Sequence, residues 1–582
     1  MKIIIAKTAG FCMGVRRAVD MVLDAANKTA GPICTYGPLI HNPQVLTLLE
    51  NRGIPYIEGI PSAGEGTVLI RAHGVPKKAR EDLAGVGFSV IDATCPRVIR
   101  VQRIIRKHAE KGYAVIIAGD EDHPEVIGLL GHADGAPGHV VNSLESLKAL
   151  PPYEKAIIVA QTTQNTGFYQ AVKSWAEAAY PNYKVFDTIC DSTEKRQEEI
   201  SRLAAEADAV VVVGGYESGN TQRLAEIAGA SGKPTFHVET EKDLDIRALR
   251  GAETLLISAG ASTPNWIIQQ VCKYLESELN TARAGWRGWL YQVQRFLLFT
   301  NAYLALGGGA LTYACTSLIG SGFRLQYAGI SLLYLFSMHV LNHLTAIQSD
   351  RYNDPDRARF YQRHQYILAL FSLGAGGLGL GIAATLGRWP LLWLGILSLL
   401  GLSYNISWIP LPVNRRGWLR PKDLPGSKTV LISLAWGVVT ALLPAATGPG
   451  EIDVTRVIGA MVVFFWSTAL VFARTAFFDI LDMQGDRIVG KETLPILLGP
   501  RETLKWVRRS LVASVGLLCF AALMGWVRST GWGIAVVSLS MIGLLHLYSR
   551  DALSPGMSLT FYVESHFLAA GMLAVLVKWG LA

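Results

Sequence analysis

The sequence predicts a protein in two parts, an N-terminal α/β domain of three pseudo-equivalent modules and a C-terminal all-α, polytopic membrane domain of about nine helices. Its 582 residues exceed what a single hydrophobic core normally serves. Residues 1–285 mix charged and apolar side chains, whereas residues 290–582 contain repeated apolar stretches that match the thickness of a bilayer's hydrocarbon core. We therefore place the two domains at 1–280 and 291–582, with a linker at 281–290.

The N-terminal half contains nine short apolar runs that each end in a polar or glycine-containing turn, often followed by a helical pattern. The turns form three triplets. The first member of each triplet is a cysteine, and the second member follows about 28 residues later. The triplets are Cys12/His41/His73, Cys95/His123/Thr162 and Cys190/Ser218/Ser262. Because open α/β sheets place their ligand sites at the carboxyl ends of strands, we expect these nine loops to build one central site.

The three cysteines of the triplets predict a metal centre. Cys12, Cys95 and Cys190 each precede a helical pattern, and a helix N-terminus favours thiolate over thiol. The chain opens without a secretory signal, so we expect this half in the cytosol, where converging thiolates indicate a soft metal or an iron–sulfur cluster rather than disulfides. The alternative is three unrelated buried cysteines. The remaining four are interpreted as structural: Cys34, Cys272, Cys315 and Cys519.

The same strand ends supply the other groups of a site. Three histidines come from separate loops, and hydroxyl and amide donors accompany them: His41, His73, His123, Ser218, Asn220 and Ser262. A diphosphate needs many hydrogen bonds and nearby positive charge, which such a set provides. Glu125, two residues after His123, is the carboxylate we expect to deliver a proton.

The motifs of this half resemble those of one enzyme family. The stretches that carry the resemblance run in the family's order over 1–280: Gly10-Phe-Cys-Met-Gly-Val-Arg-Arg-Ala18, Tyr36-Gly-Pro-Leu-Ile-His-Asn42, Arg71-Ala-His-Gly-Val-Pro76, Asp92-Ala-Thr-Cys-Pro96, His123-Pro-Glu125, Gln161-Thr-Thr163, Thr188-Ile-Cys190 with Arg196-Gln197, and Ala259-Gly-Ala-Ser-Thr-Pro264. They are similar to those of LytB-type 4-hydroxy-3-methylbut-2-enyl diphosphate reductases. The family's Ser-Ser-Asn is replaced here by Ser218-Gly219-Asn220, which removes one hydroxyl.

The resemblance implies a central 4Fe–4S cluster on the three cysteines, with the substrate's hydroxyl bound to the fourth iron. It assigns the diphosphate to His41, His73, Ser218, Asn220 and Ser262. Thr162 and Glu125 would then relay a proton to the departing hydroxyl, while His123 orients the substrate. The products would be isopentenyl and dimethylallyl diphosphates.

The electron source of this half is expected to be a separate protein. No glycine-rich flavin or nicotinamide fingerprint is present, so ferredoxin or flavodoxin is the expected donor. A non-enzymatic iron–sulfur electron carrier or sensor is the alternative function. Glu125, Thr162 and the phosphate-binding set favour the enzyme, because a carrier has no use for them.

The C-terminal half predicts a multi-pass protein of the cell inner membrane. We count nine apolar spans, at about 291–315, 318–341, 365–386, 389–412, 429–448, 455–478, 508–527, 531–548 and 559–581. With a cytoplasmic N-terminus, three strongly basic loops face inward, which agrees with the positive-inside rule. One of these loops contains Arg415, Arg416, Arg420 and Lys422. The net charge of +8 without a Lys/Arg run therefore indicates membrane topology, with a lipid bilayer and not nucleic acid as partner.

One inward loop of the membrane half carries chemistry. Asp479, Asp482 and Asp486 follow the i, i+3, i+7 spacing of one helix face at a membrane edge, which suits Mg²⁺ bridging to a diphosphate. The segment resembles the second Asp-rich motif of the UbiA prenyltransferase superfamily, whose nine-helix architecture also matches. Tyr404 and the stretch Leu424–Lys428 fall where that family has a basic loop.

The first Asp-rich motif of that superfamily is altered here. Asn342 and Asp350 remain as expected Mg²⁺ ligands, whereas His343 and Ala346 stand where the pattern has carboxylates. Two interpretations remain open for this half, a prenyltransferase with an altered metal site and a non-catalytic anchor that localises the reductase.

Overall fold

The computed structural model describes residues 2–29, 31–249, 251–281, 285–404, 409–410, 418–419, 424–448, 453–550, 552–553, 555–578 and 580. The chain divides into two compact units, Met1–Leu275 and Glu276–Ala582. The described part of the predicted linker 281–290 includes the start of a helix at Trp286, while residues 282–284 lie outside the described residues.

The N-terminal unit alternates strands and helices, as the βα pattern of the sequence predicts. Its elements are β1 Lys2–Ile5, α1 Met13–Lys28, β2 Ile33–Tyr36, α2 Pro43–Asn51, β3 Tyr56–Ile57, β4 Thr67–Ile70, α3 Lys77–Gly85, β5 Ser89–Asp92, α4 Pro96–Ala109, β6 Ala114–Ala118, α5 Pro124–Leu130, β7 Gly138–Val141, α6 Leu144–Lys148, β8 Ala156–Ala160, α7 Thr166–Ala179, β9 Lys184–Val185, α8 Asp191–Glu206, β10 Ala209–Val213, α9 Gly219–Gly229, β11 Thr235–Val238, β12 Thr254–Ala259 and α10 Asn265–Thr281. The central strands β6, β8 and β10 are apolar and fully buried, as strands covered on both faces must be.

The strands form three four-stranded parallel sheets with the same internal order. The sheets run β3–β2–β4–β5, β7–β6–β8–β9 and β11–β10–β12–β1. In each sheet the first strand of the module lies beside the second and the third, and a fourth strand closes the edge. The third sheet takes its edge from the beginning of the chain, because β1 pairs with β12 in the register Ile4↔Leu256.

This topology gives the residues of each predicted triplet equivalent positions. The cysteines follow the edge strands β1, β5 and β9. The second members follow β2, β6 and β10, and the third members follow β4, β8 and β12. Since all strands within a sheet are parallel, each sheet presents one cysteine and two other site residues at one edge. These groups differ from the predicted triplets, because each cysteine follows the edge strand of a different sheet from its two predicted partners. The sheets group the residues as His41/His73/Cys95, His123/Thr162/Cys190 and Ser218/Ser262/Cys12.

The C-terminal unit is helical. Its helices are α11 Trp286–Phe299, α12 Ala302–Ile319, α13 Leu325–Thr345, α14 Ile347–Asn353, α15 Pro355–Arg363, α16 Gln365–Leu386, α17 Arg388–Ser403, α18 Ser427–Gly437, α19 Leu443–Thr447, α20 Val454–Ile488, α21 Leu494–Leu498, α22 Pro500–Leu523, α23 Thr530–Ser549 and α24 Met557–Lys578. A π-helical segment over Val438–Leu442 joins α18 to α19. The short strands β13 Ile409–Pro410 and β14 Trp418–Leu419 pair antiparallel.

Seven of the described helical segments are long and apolar enough to cross a bilayer. They are Ala302–Ile319, Gln365–Leu386, Ser427–Thr447, Val454–Ile488, Pro500–Leu523, Thr530–Ser549 and Met557–Val577. Helices α13 and α17 occupy the other two predicted spans, and α17 has only 16 residues. Many large apolar side chains point outward from the unit, such as Tyr366 at 82% and Leu370 at 73% exposure, as expected for a surface that faces lipid.

The predicted first span, 291–315, is wrong in one respect, because it is not a continuous helix. Helix α11 ends at Phe299 and α12 begins at Ala302. Between them Asn301 adopts the left-handed conformation with φ of 58°, and its side-chain amide donates to the hydroxyl of Tyr361 over 2.8 Å. The apolar pattern continues through this break, so hydropathy alone merges the two helices.

The two-unit division predicts where the N-terminal unit tolerates cutting. Helix α10 buries Trp266, Ile267, Ile268, Val271 and Leu275. A fragment 1–281, which retains α10, is expected to be soluble and to unfold cooperatively. A fragment 1–264 loses those side chains, each worth about 2–5 kcal/mol in a core, and is expected not to fold. Circular dichroism melts of both fragments check this, and equal melting behaviour would contradict it.

Candidate functional site

The three triplet cysteines each occupy the residue before a helix. Cys12 precedes α1 and its Sγ accepts the N–H of Val15 over 3.5 Å, while Cys95 and Cys190 precede α4 and α8. All three are free thiols of intermediate exposure. A side chain at Gly14 would place its Cβ 2.4 Å from the Cys95 Sγ, so α1 and Cys95 pack in direct contact and only glycine leaves room.

Burial controls the ionisation of two of these thiols. It raises the pKa of Cys95, and the neighbouring Cys12 and Cys190 add to this effect. It also raises the pKa of Cys190, although the backbone N–H of Ser192 favours the thiolate. At both cysteines the backbone N–H groups of the helix start favour the thiolate, as expected, but burial outweighs them. A bound metal would displace the protons of both thiols.

The donor set nevertheless fits an anionic iron–sulfur cluster. Arg196 is only 2% exposed, and its guanidinium donates to the carbonyl oxygens of Ala259 (2.7 Å) and Gly10 (3.0 Å). Within the described part of the chain its Nε has no hydrogen-bond partner. A buried cation that interacts with Cys12 and Cys190 compensates negative charge at the three sulfurs.

The three predicted histidines converge. Their nearest ring nitrogens lie within 4.8 Å of one another, and the ring centroids of His41 and His73 are 4.8 Å apart. Burial lowers the pKa of all three, to about 4 for His123. The imidazoles are therefore neutral at pH 7, and His41 Nε2 and His73 Nδ1 have no hydrogen-bond partner among the described residues.

Hydroxyl and amide groups of the third module join the histidines. The Ser262 hydroxyl donates to the backbone carbonyl of His41 over 3.1 Å and lies 3.3 Å from the Ser218 hydroxyl. Ser218 precedes α9 without capping it, so its hydroxyl is not used by the helix. The buried Asn220 Nδ2 has no partner within the residues described. The combination of N–H and O–H groups with unused capacity is what a phosphate requires.

Glu125 and Thr162 form a directly bonded pair. Both carboxylate oxygens of Glu125 accept from Thr162, one from its backbone N–H (2.7 Å) and one from its hydroxyl (2.9 Å). Glu125 is 1% exposed, and burial raises its pKa to about 7 despite these bonds. The Glu125 N–H donates to His123 Nδ1 over 3.1 Å, which assigns the proton of the neutral imidazole to Nε2.

Two arginines near the site were not predicted from the sequence. Arg223 donates to the carboxylate of Asp120 (2.7 Å) and to the carbonyl of Thr163 (3.0 Å), and so connects α9 with the loops after β6 and β8. Arg71 packs against Gly37 and donates to the carbonyl of Gly74. Arg71 stands two residues before His73 in the quoted motif, which was the available signal, whereas nothing local distinguishes Arg223.

The Asp-rich segment of the membrane unit is paired internally. The buried Asp479 accepts from the Lys428 ammonium (2.7 Å) and from the Thr429 hydroxyl (2.6 Å), which uses both of its oxygens. Asp486 accepts from the Asn353 amide over 3.2 Å, and its Oδ2 is buried without a partner among the described residues. Asp482 lies between them on α20.

The altered first motif also forms an ion pair. His343 Nδ1 lies 2.7 Å from Asp350 Oδ2, and Asn342 precedes His343 on α13. Burial opposes ionisation of Asp350, but His343 and Arg357 hold its pKa below the usual value. The Tyr404 hydroxyl lies 3.4 Å from the Ser427 hydroxyl, whereas Arg415, Arg416, Arg420 and Lys422 of the predicted basic loop lie outside the described residues.

Comparison with known proteins separates the same two parts. The family model described as LytB protein matches residues 3–276, and that of the UbiA prenyltransferase family matches residues 302–571. A 4-hydroxy-3-methylbut-2-enyl diphosphate reductase of Geobacter sulfurreducens is 42% identical over 276 residues, which cover 47% of this chain and 97% of that protein.

Two solved structures are similar to the two halves. The structure of an (E)-4-hydroxy-3-methyl-but-2-enyl diphosphate reductase is 42% identical and covers 47% of this chain and 99% of its own, with a TM-score of 0.38. A UbiA homologue from Archaeoglobus fulgidus bound to GPP and Mg²⁺ is 16% identical and covers 48% and 99%, with a TM-score of 0.33.

The fold and site of the N-terminal unit define an α/β protein with a cysteine triad and a buried polar pocket. The chain belongs to the LytB family through this unit. Its C-terminal unit matches the UbiA prenyltransferase family. Both resemblances noted in the motifs are thereby confirmed.

The contact at Gly14 predicts a sharp steric requirement at the cysteine triad. Gly14→Ala is expected to displace Cys95 and to reduce the iron bound per chain severely, because its Cβ would overlap the sulfur. Gly85→Ala is the matched control, since Gly85 is exposed at the end of α3 and has open space around it. Iron analysis of anaerobically purified protein measures both, and normal iron content in Gly14→Ala would contradict the packing argument.

Proposed function

We propose that the N-terminal unit reduces 4-hydroxy-3-methylbut-2-enyl diphosphate to isopentenyl and dimethylallyl diphosphates. A 4Fe–4S cluster on Cys12, Cys95 and Cys190 would supply the electrons and a Lewis-acidic iron when bound. The observation that carries the proposal is the pairing of Glu125 with Thr162 beside a histidine cluster that has unused donors. The similar reductases named above act on the same diphosphate by name.

The pocket binds the diphosphate through neutral hydrogen-bond donors, and its imidazoles become protonated when the anion binds. Nitrogens of His41 and His73, the amide of Asn220 and the hydroxyls of Ser218 and Ser262 surround the anion. Because the imidazoles are buried and neutral in the free pocket, the incoming negative charge raises their pKa and draws in protons. Gly219, which replaces a serine of the family's motif, retains its backbone N–H at the start of α9. This N–H still favours the binding of an anion.

Glu125 is the general acid of the proposed reaction. With a pKa near 7 it is substantially protonated at neutral pH, and the hydrogen bond to the Thr162 hydroxyl gives the proton a path toward the substrate's hydroxyl. The reaction breaks one C–O bond, forms one C–H bond, consumes two electrons and two protons, and releases water. The electrons come from a reduced one-electron carrier such as ferredoxin or flavodoxin, while His123 orients the substrate.

A simple electron carrier does not account for these groups. Electron transfer uses neither a buried carboxyl with a pKa near 7 nor a phosphate pocket. The matches to LytB-type reductases run over nearly their whole length, which favours the enzyme.

The pH profile tests the general acid. Turnover should fall as the pH rises through about 7, because the protonated form of Glu125 is the active one. Arg223 lowers this pKa, so Arg223→Gln should move the limb to higher pH. Glu125→Gln should remove the limb and reduce kcat about 10²- to 10⁴-fold.

The matched control for these variants is Glu177→Gln, an exposed carboxylate on α7. Its kcat should follow the native pH profile. Measurements from pH 5 to 9 extend about two pH units to each side of the expected fall near pH 7. A native-like limb in Glu125→Gln would assign the titration to another group.

For the C-terminal unit we propose prenyl transfer from a prenyl diphosphate at the cytoplasmic face of the inner membrane. The unit would cross the membrane nine times and keep the reductase unit in the cytoplasm. Mg²⁺ would be held by Asp479, Asp482 and Asp486, with Asn342 and Asp350 as a weaker second set. The buried Oδ2 of Asp486 supports this assignment, because it has no hydrogen-bond partner among the described residues and a buried carboxylate oxygen is costly to leave unsatisfied.

The non-catalytic anchor is the competing function of this unit. The contact of Asp350 with His343 favours it, because one oxygen of that carboxylate already has a partner at 2.7 Å. The match to the UbiA prenyltransferase family favours catalysis, as does the retained second motif.

The metal requirement distinguishes the two functions. His343→Asp with Ala346→Asp restores two oxygen donors and should lower the Mg²⁺ concentration needed for transfer of a labelled prenyl group to aromatic acceptors, since Mg²⁺ prefers hard oxygen ligands. Asp486→Asn should abolish transfer, whereas Glu502→Gln, on the exposed start of α22, should not change it. If neither native chain nor double variant transfers a prenyl group to any acceptor, the anchor is the correct function.

A further inference from the structure

Helix α4 carries an unusual charge distribution that the proposed reaction does not use. It begins directly after Cys95, and its 14 residues contain five Arg or Lys side chains and no Asp or Glu. Its buried face consists of Val98, Val101, Ile105 and Ala109, so the basic side chains are turned away from the core. Arg100 and Arg103 are exposed and form no ion pair within the described part of the chain.

The first turn of α1 continues this surface. The Arg17 guanidinium donates to the carbonyl of Thr94 over 3.1 Å, and Gly14 contacts the sulfur of Cys95, so the N-termini of α1 and α4 are adjacent. Met13, which follows Cys12, is 60% exposed, and Arg16 is exposed one turn further. We call Met13, Arg16, Arg100 and Arg103 the basic surface.

We propose that the basic surface is the docking site of an acidic one-electron carrier protein, which delivers electrons to the N-terminal unit. The inference rests on the proposed reductase function, which needs two electrons per turnover from outside the chain. Each encounter oxidises the reduced carrier by one electron. Two encounters supply the pair that is consumed when the C–O bond breaks and the C–H bond forms.

Three features favour such a protein over a lipid surface. The basic surface lies around two of the three cysteines, where electrons must enter. Its cations are arginines, and Met and Arg are enriched in protein interfaces, whereas Lys is depleted. An exposed apolar side chain with a charged rim suits a small, transient interface in which charge steers the encounter.

Helix α8 limits the orientation of the carrier. The third cysteine, Cys190, is followed by Asp191, Glu194 and Glu198, and all three acids are exposed. Asp191 pairs with Arg97 over 2.6 Å, which places the acidic helix next to the start of α4. An acidic partner is therefore attracted to the α1/α4 side of the triad and repelled from the α8 side.

The test compares two electron sources on the full chain with bound cluster in nanodiscs. Arg100→Glu with Arg103→Glu should lower the turnover efficiency with reduced flavodoxin at least about tenfold at low ionic strength. The loss should shrink at high salt, because screening removes the steering in the native protein. Turnover with reduced methyl viologen, a small cation that needs no docking surface, should remain native.

The matched control is Arg106→Glu with Lys107→Glu, which makes the same charge change at the far end of α4. It should reduce flavodoxin-driven turnover much less.

Three outcomes would each overturn the docking site. They are equal losses in the two variants, an unchanged rate in Arg100→Glu/Arg103→Glu, and a fall in its turnover with methyl viologen. A variant defect that depends on the anionic lipid content of the nanodisc and not on the donor would assign the surface to lipid. Absence of methyl viologen-driven turnover in the native chain would instead contradict the reductase function itself.

Discussion

The pairing of β1 with β12 is the constraint on which the N-terminal site depends. Two sheets take the edge strand that precedes a cysteine, β5 or β9, from the stretch of chain directly after their other strands, but the third must take β1 from the opposite end of the unit. Only this long-range pairing places Cys12 at the same topological position as Cys95 and Cys190. The strand β1 has only four residues. The contact between Gly14 of α1 and Cys95 is therefore a second interaction that holds Cys12 in this position.

Most ionisable groups in the interior of this unit are neutral while no ligand is bound. Burial keeps the histidines and two of the thiols neutral, and it keeps Glu125 close to half protonated at pH 7. Arg196 is the exception, a buried cation that donates to two backbone carbonyls and interacts with the carboxylate of Glu199. Neutral groups cost less to bury than ions, so the pocket remains stable while it is ready for an anionic diphosphate and an anionic cluster.

The sequence predicted what depends on local order and missed what depends on distant contacts. The strand ends follow a repeat, so His41, His123 and Ser218 could be assigned to equivalent loops before any coordinates were known. The roles of Arg223 and Arg196 depend on partners 60 or more residues away in the chain, which no spacing reveals. The helix N-terminus at Cys95 is visible in the sequence, whereas the depth of burial that raises the pKa of its thiol is not.

The membrane unit shows how an acidic cluster is stabilised in a low-dielectric setting without a metal. Asp479 is paired with Lys428, Asp350 with His343, and Asp486 lies 3.5 Å from Lys491. Each contact offsets part of the cost of burying a carboxylate, so the proposed Mg²⁺ would have to displace a partner that is already present. Replacement is least costly at Asp486, because one of its oxygens has no partner, and most costly at Asp479, where both oxygens accept hydrogen bonds. With Mg²⁺ bound as proposed, Asp486 would therefore engage the ion at the least cost and Asp479 at the greatest.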